Sequence, residues 1–378
     1  MVERLEAEGV SVIILKIISD DALRVEYPRL SRFFLPLNSV DKLHISKNSE
    51  LIGEIIDWIS PTFIHIHSFV GLEFRSLQTF MGILDRGYKL FYTLHDNSPV
   101  CHRNDLVMPD GNYCRLMSVD VCRKCSMIDH QYVDAVDPEV RRNLYSEFLD
   151  KVDVIFAPSS DIADRMREHL PADKLIIRPH EEHLSIKCTD KGKIHQFQNG
   201  FSDSGSKSKI AVIGAIGPHK GSYVLHDLAL DAKLRQLPIE YMIIGYSHMT
   251  DRMGSVGIHE TGRYNSPMEA ISLLYINNID LVLMPSIWPE TYCYTLSIAL
   301  ASGIPPVVFD LGAPAERLRN IEQGIILDYA LKDDVKSVND LFLRLDIGLL
   351  RQNARPYSEY IYADVVRDYY GMHLSTAS

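Results

Sequence analysis

The chain has 378 residues, 46% of them hydrophobic and 24% charged, with a formal net charge of −11 at pH 7. That length exceeds what one hydrophobic core fills, so two α/β domains are expected, and the composition is that of a soluble globular protein. The acidic balance excludes a nucleic-acid partner of the usual kind, because no basic surface stands out to release counterions.

In chain order, residues 2–7 read as a helix, and 10–17, after Gly9, as a buried strand. The basic-aromatic patch at 29–34 leaves a peripheral membrane contact open, but a solvated loop explains it as well. Residues 51–59 place Leu51, Ile52, Ile55, Ile56 and Ile59 at helical spacing, and Pro61 ends the run. Residues 63–67 predict a strand, 72–84 a helix, and 89–94 a strand running into His95-Asp96. Strands at 152–156 and 175–177 flank a helix at 161–169. This alternation implies βαβ units and a parallel sheet in a domain spanning 1–180. His95 then falls at the carboxyl end of its strand, where such sheets bind ligands, and an imidazole there can donate a hydrogen bond to one. It could equally cap a turn through Asp96. His65 and His67 alternate on one face of the preceding strand and read as structural.

Four of the six cysteines follow within a short loop: Cys101, Cys114, Cys122 and Cys125, spaced C-x12-C-x7-C-x2-C. Four thiolates around a structural zinc would fix a loop (97–130) otherwise rich in Asp, Asn and Gly. Unligated thiols and disulfides are the alternatives, the latter disfavoured in a reducing compartment. A catalytic zinc is disfavoured, since four cysteines leave no open position.

Residues 181–208 read as a linker. The second domain, 209–352, opens with a strand at 209–213 and the loop Gly214-Ala-Ile-Gly217-Pro-His-Lys220-Gly221, with Ser222 as a helix cap. Glycines let a backbone approach a phosphate, and Lys220 supplies positive charge beside a helix start, a placement that an anion explains best. Further strands are expected at 239–245, 279–283 and 306–309, and helices at 268–275, 291–302 and 335–349. Residues 353–378 carry a last helix, at 357–372. Glu290 opens the helix at 291–302, on a loop at the carboxyl edge of the sheet. No apolar run is long enough to span a membrane and no signal peptide opens the sequence, which predicts a cytoplasmic location.

The stretch 283–319, with Pro285, Ser286, Glu290, Gly303 and Pro305 in place, resembles the C-terminal half of the family-4 retaining glycosyltransferases. The resemblance implies an α/β GT-B fold, two Rossmann-like doubly wound parallel-sheet domains facing a cleft, with a final helix crossing back onto the first domain. It implies transfer of a sugar from a nucleotide-diphosphate donor to a glycan or lipid-linked acceptor, with retention, as in polysaccharide or glycoconjugate biosynthesis. Glu290 and His95 would contact the sugar. Gly214, Gly217 and Lys220 would hold the diphosphate, Gly262 would lie in the loop that cradles the base, and Thr291 and Tyr292 would sit at the helix start. The chain departs from the pattern twice: the second Glu, which holds the ribose, is Ile298, and the Arg of the diphosphate clamp is Ala215. No Asp-x-Asp motif is present, so no cofactor is expected for catalysis. A noncatalytic GT-B scaffold is the competing reading, and a sugar-nucleotide epimerase a third.

Enzymes of that family open with a strand and a glycine-rich turn. This sequence starts with what resembles the end of the helix that follows them, and no glycine precedes Gly9. The expectation is a truncated start or the latter part of a larger enzyme, whose other domains would be partners. The alternative is that residues 12–17 take the central place in the first sheet.

Overall fold

Continuous apolar runs and strict alternation both give strands here, and the two patterns build different sheets. The protein is known from a computed structural model, which describes residues 2–19, 22–27, 31–33, 49–70, 74–128, 136–181, 207–354 and 364–371. They divide into two units, one from 2–109, 114–181 and 364–371, the other from 110–113 and 207–354.

In the first unit, β1 (Ile14–Ser19), β2 (Ala22–Tyr27) and β3 (Ser31–Phe33) form an antiparallel sheet in the order β1-β2-β3. The strand expected at 10–17 therefore starts later and pairs as a hairpin. Residues 12–17 do not take the centre of the parallel sheet. That sheet holds β4 (Phe63–Ile66), β5 (Lys89–Thr93), β6 (Val154–Ala157) and β7 (Leu175–Ile177) in the order β4-β5-β6-β7. Among the described residues, β4 pairs with β5 alone. Helices Ser49–Ile59 and Phe74–Leu84 bury Ile52, Ile56 and Ile83 together against Ile64 of β4. Helix Pro138–Asp150, which no periodicity argument above had placed, is capped by the Asp137 carboxylate at the Glu139 amide and buries Tyr145, Phe148 and Leu149. Leu5, Phe91 and Phe156 share a cluster with Val366 and Tyr369 of a helical turn at Val365–Tyr369. The helix expected at 357–372 otherwise lies mostly outside the described residues.

The second unit has one six-stranded parallel sheet: β8 (Ser208–Ile216), β9 (Ile239–Ser247), β10 (His259–Glu260), β11 (Leu281–Met284), β12 (Pro306–Phe309) and β13 (Ile325–Leu327). Alternate side chains of its strands enter two separate cores. Ala211, Ile213, Ile244, Val282 and Val308 meet helices Pro267–Ile276, Tyr294–Ser302 and Gly312–Ile321 on one face. Ile210, Val212, Ile243, Leu283 and Val307 meet helices Ser222–Leu234 and Val335–Phe342 on the other. Burial on both faces is why these strands read as unbroken apolar runs. The helix expected at 335–349 is broken: it stops at Phe342 and resumes as Ile347–Gln352, whose cap is Asp346. No helix among the described residues is long and apolar enough to cross a membrane.

Candidate active site

The second sheet runs β10-β9-β8-β11-β12-β13, so its winding reverses between β8 and β11. Open parallel sheets bind ligands outside the carboxyl ends of the strands at such a reversal. The loops that leave these two strands, 217–221 and 285–293, are fastened to each other. The Ile287 N–H donates to the His219 carbonyl at 3.0 Å. Gly221 has φ +78°, and a Cβ on it would fall 1.8 Å from the Pro285 carbonyl oxygen, so only glycine allows this approach. Gly221 is also the helix N-cap, in place of Ser222, whose hydroxyl is buried without a hydrogen-bond partner.

Lys220 and Glu290 meet where the loops join. Lys220 Nζ donates to Glu290 Oε2 at 2.6 Å, and the Ser286 hydroxyl donates to Oε1. The Glu290 side chain is 5% exposed and that of Lys220 29%. Burial opposes the charge on both, but each stabilises the other: the Glu290 carboxyl is held below its ordinary value by Lys220 and Ser286, and the Lys220 ammonium above its own by Glu290. Both stay charged at neutral pH. The backbone of Glu290 is pinned from behind by Gly312, at φ +68°, where a Cβ would lie 2.7 Å from the Glu290 nitrogen. The Ala313 N–H donates to the Glu290 carbonyl at 2.8 Å.

Glu290 does not open a helix. The chain continues as loop through Thr291 and Tyr292, turns at Cys293 with φ +77°, and becomes helical only at Tyr294. Tyr294 and Ile298, four residues apart on this helix, differ in burial: Tyr294 is 57% exposed, whereas Ile298 is buried at 5% within the core. Thr291 and Tyr292 are buried too, and the Tyr292 ring lies 4.5 Å under the Arg317 guanidinium. Arg317 also donates to the Cys293 carbonyl at 2.9 Å and to Ser297 Oγ at 3.0 Å, bracing the turn. A left-handed cysteine and a bracing arginine left no signal in sequence periodicity. Gly214, φ +113°, lies two residues before the end of β8 and faces Thr295 and Tyr264: a Cβ there would lie 3.4 Å from Thr295 Cγ2 and 4.0 Å from the Tyr264 hydroxyl. Gly217 opens the Lys220 loop, its carbonyl accepting from the Lys220 and Ser222 amides. Gly262 donates to the Gly245 carbonyl at 2.8 Å, beyond the end of β10. The second unit thus gathers Gly214, Gly217, Lys220, Glu290, Thr291 and Tyr292 around the reversal point. His95 belongs to the first unit.

At the carboxyl ends of β4, β5 and β7 four imidazoles stack in a row. Ring centroids lie 4.2 Å apart for His65 and His67, 5.1 Å for His67 and His95, and 4.9 Å for His95 and His180. His67 Nδ1 and His95 Nε2 share a hydrogen bond of 2.8 Å, and His65 bonds Thr93 Oγ1 and the Tyr370 hydroxyl. Loss of hydration in this crowded row lowers His67 and His95 to about 4 and His65 well below its usual value, although one side of His67 reaches solvent. His65, His67 and His95 are therefore neutral near pH 7. Asp96 caps its own turn, accepting from the Ser98 amide at 2.7 Å.

Cys101, Cys114, Cys122 and Cys125 line one cavity with Val100, Leu106 and Val121, and none forms a disulfide. Burial pushes the Cys101 thiol up to about 12. The last two sit one turn apart on helix Val119–Ile128, which lies within the stretch expected to be loop. Among the described residues no group of three or more His, Cys, Asp or Glu side chains is arranged to hold a metal ion, so the expected tetrahedron is not formed as the thiols stand.

No family model matches the sequence, and no curated protein matches it. Solved structures do resemble the chain. Sucrose-phosphate synthase from Thermosynechococcus elongatus aligns over 94% of this chain and 85% of its own, at 15% identity and a TM-score of 0.60. HepE from Anabaena, in complex with UDP and glucose, covers 83% of this chain and 74% of its own, at 14% identity and a TM-score of 0.52. An α,α-trehalose-phosphate synthase (UDP-forming) from Burkholderia vietnamiensis covers 82% and 73%, at 9% identity and a TM-score of 0.51. Likeness at these identities is one of fold, and the fold is GT-B.

Proposed function

We propose that this GT-B chain is a glycosyltransferase that takes a nucleotide-diphosphate sugar as donor and passes the sugar, with retention, to a hydroxyl of a glycan or lipid-linked acceptor. The observation that carries the reading is the buried Lys220–Glu290 pair at the winding reversal of the second sheet. The fold's glycosyltransferase neighbours and the resemblance at 283–319 support it.

In this reading the donor diphosphate lies along loop 217–221, where Lys220 balances its charge. The N-terminus of helix Tyr294–Ser302 adds a second positive partial charge. When the bond from the anomeric carbon to the phosphate oxygen breaks, its electron pair stays on the diphosphate, so Lys220 acts most strongly as charge develops there. The acceptor oxygen bonds to the same carbon, and its proton goes to the departing phosphate oxygen. Glu290 is held charged and rigid, and accepts hydrogen bonds from sugar hydroxyls, which fixes the sugar for attack. His95 enters through the resemblance, as a second sugar contact.

Calorimetry with UDP, ADP, GDP and their glucose conjugates tests the reading. Binding of one nucleotide, weakened at least tenfold by Lys220→Ala, is the expected result. Binding by none of them would favour the noncatalytic scaffold.

A further inference from the structure

The function proposed above leaves the cysteine-lined cavity unused. Its four thiols come from three separate pieces of chain. Cys101 follows the turn in which its amide donates to the Asn97 carbonyl. Cys114 is held by its own amide, which donates to the Leu106 carbonyl at 2.9 Å. Cys122 and Cys125 project from one face of helix Val119–Ile128, at a spacing of three residues. The rest of the lining is mostly apolar, apart from cationic side chains. Arg103 and Arg141 line the cavity, and Arg142 donates to Cys122 Sγ at 3.3 Å.

Folding has therefore converted a spacing in the sequence into a shared, weakly hydrated cavity with positive charge at its wall. Arg141 and Arg142 also donate to the Ser98 and Val100 carbonyls, which holds them beside the thiols, and a hydrogen bond from Arg142 to Cys122 strengthens when that sulfur carries negative charge. Each thiol has three staggered positions about its Cα–Cβ bond, so the backbone does not dictate where the sulfurs point.

We propose that these four cysteines form a structural site for one thiophilic divalent cation, zinc, in the first unit. Binding would convert four thiols to thiolates, release up to four protons, and leave a doubly negative centre beside Arg103, Arg141 and Arg142, with no change of oxidation state. The ion would hold the segment 101–125 in place as a rigid wall. It takes no part in the sugar transfer, so the site can fail while the functional reading stands, and the reverse.

The test uses the full chain purified without added metal. Elemental analysis should give close to one zinc per chain, and a mercurial should release that zinc as it takes up the four thiolates. Cadmium exchanged into the chelated protein should give a sulfur-to-metal charge-transfer band in the near ultraviolet that saturates at one equivalent. Cys122→Ser/Cys125→Ser should abolish both signals. If that variant does not fold, the cadmium titration of the unaltered chain decides alone. A folded, metal-free protein with four reactive thiols and no cadmium band would overturn the proposal. So would a cavity whose thiols are found paired in disulfides.

Discussion

Lys220 Nζ stands 2.6 Å from Glu290 Oε2 across seventy residues of chain, in a setting where burial opposes each charge and the partner offsets it. The pair fastens the loops after β8 and β11 as much as it equips them for chemistry.

Breaking the pair on one side should therefore lower stability as well as activity. Lys220→Met leaves a buried carboxylate with Ser286 as its remaining hydrogen-bond donor from this pair of bonds, and is expected to cost about 2–3 kcal/mol in denaturant unfolding. Glu290→Gln keeps the shape and a hydrogen bond to Ser286. It is expected to reduce turnover about 100-fold while the donor dissociation constant changes much less, as befits loss of orientation. Kinetics and calorimetry on the same preparations would separate the two effects.

Two glycines give a paired test of the backbone. Gly312→Ala puts a methyl 2.7 Å from the Glu290 nitrogen at φ +68°, and is expected to cost about 1–3 kcal/mol and weaken nucleotide binding. Gly254→Ala, in helix Thr250–Ser255 with nothing within 4 Å, is expected to raise stability by about 0.5–1 kcal/mol and leave binding unchanged.

Ile298 occupies the position where the resemblance would put a ribose-binding glutamate, and restoring that residue looks simple from sequence. The structure reverses the expectation. Ile298 is 5% exposed and packs in the core beneath the sheet, so Ile298→Glu should bury a carboxylate and lose at least about 3 kcal/mol. Thermal unfolding with and without UDP would check this. A variant as stable as the parent would show that the helix can turn this side chain outward.

The histidine row predicts an acid-sensitive first unit. Neutral imidazoles are favoured in the folded state, so the unfolded chain binds more protons below the ordinary value of 6.5. Stability should be level above about pH 6.5 and fall as the pH drops towards about 4, where His67 and His95 titrate in the fold. His67→Asn/His95→Asn should flatten that slope, measured as melting temperature against pH.

The second unit was largely legible in the sequence because its strands are buried on both faces. Runs such as Leu281–Met284 and Pro306–Phe309 leave little choice of structure, and the Gly- and Pro-rich loops that follow carry Lys220 and Glu290. The first unit was less so. The alternation Leu23, Val25, Tyr27 that marks β2 was there to be read, and with it the hairpin, but the apolar run before it suggested a buried strand instead. Helix Pro138–Asp150 announces itself by Asp137-Pro138 and was missed. The turn at Cys293 could not be foreseen, since its conformation is imposed by Arg317 and by packing from behind rather than by local preference.

The joint between Gly221 and Pro285 has a kinetic consequence. Because the two loops already touch through that contact and through the His219–Ile287 hydrogen bond, an arriving ligand has little chain to organise. Capture of a nucleotide by the second unit should then follow a single exponential whose rate climbs in proportion to concentration, without the plateau that a slow loop closure imposes.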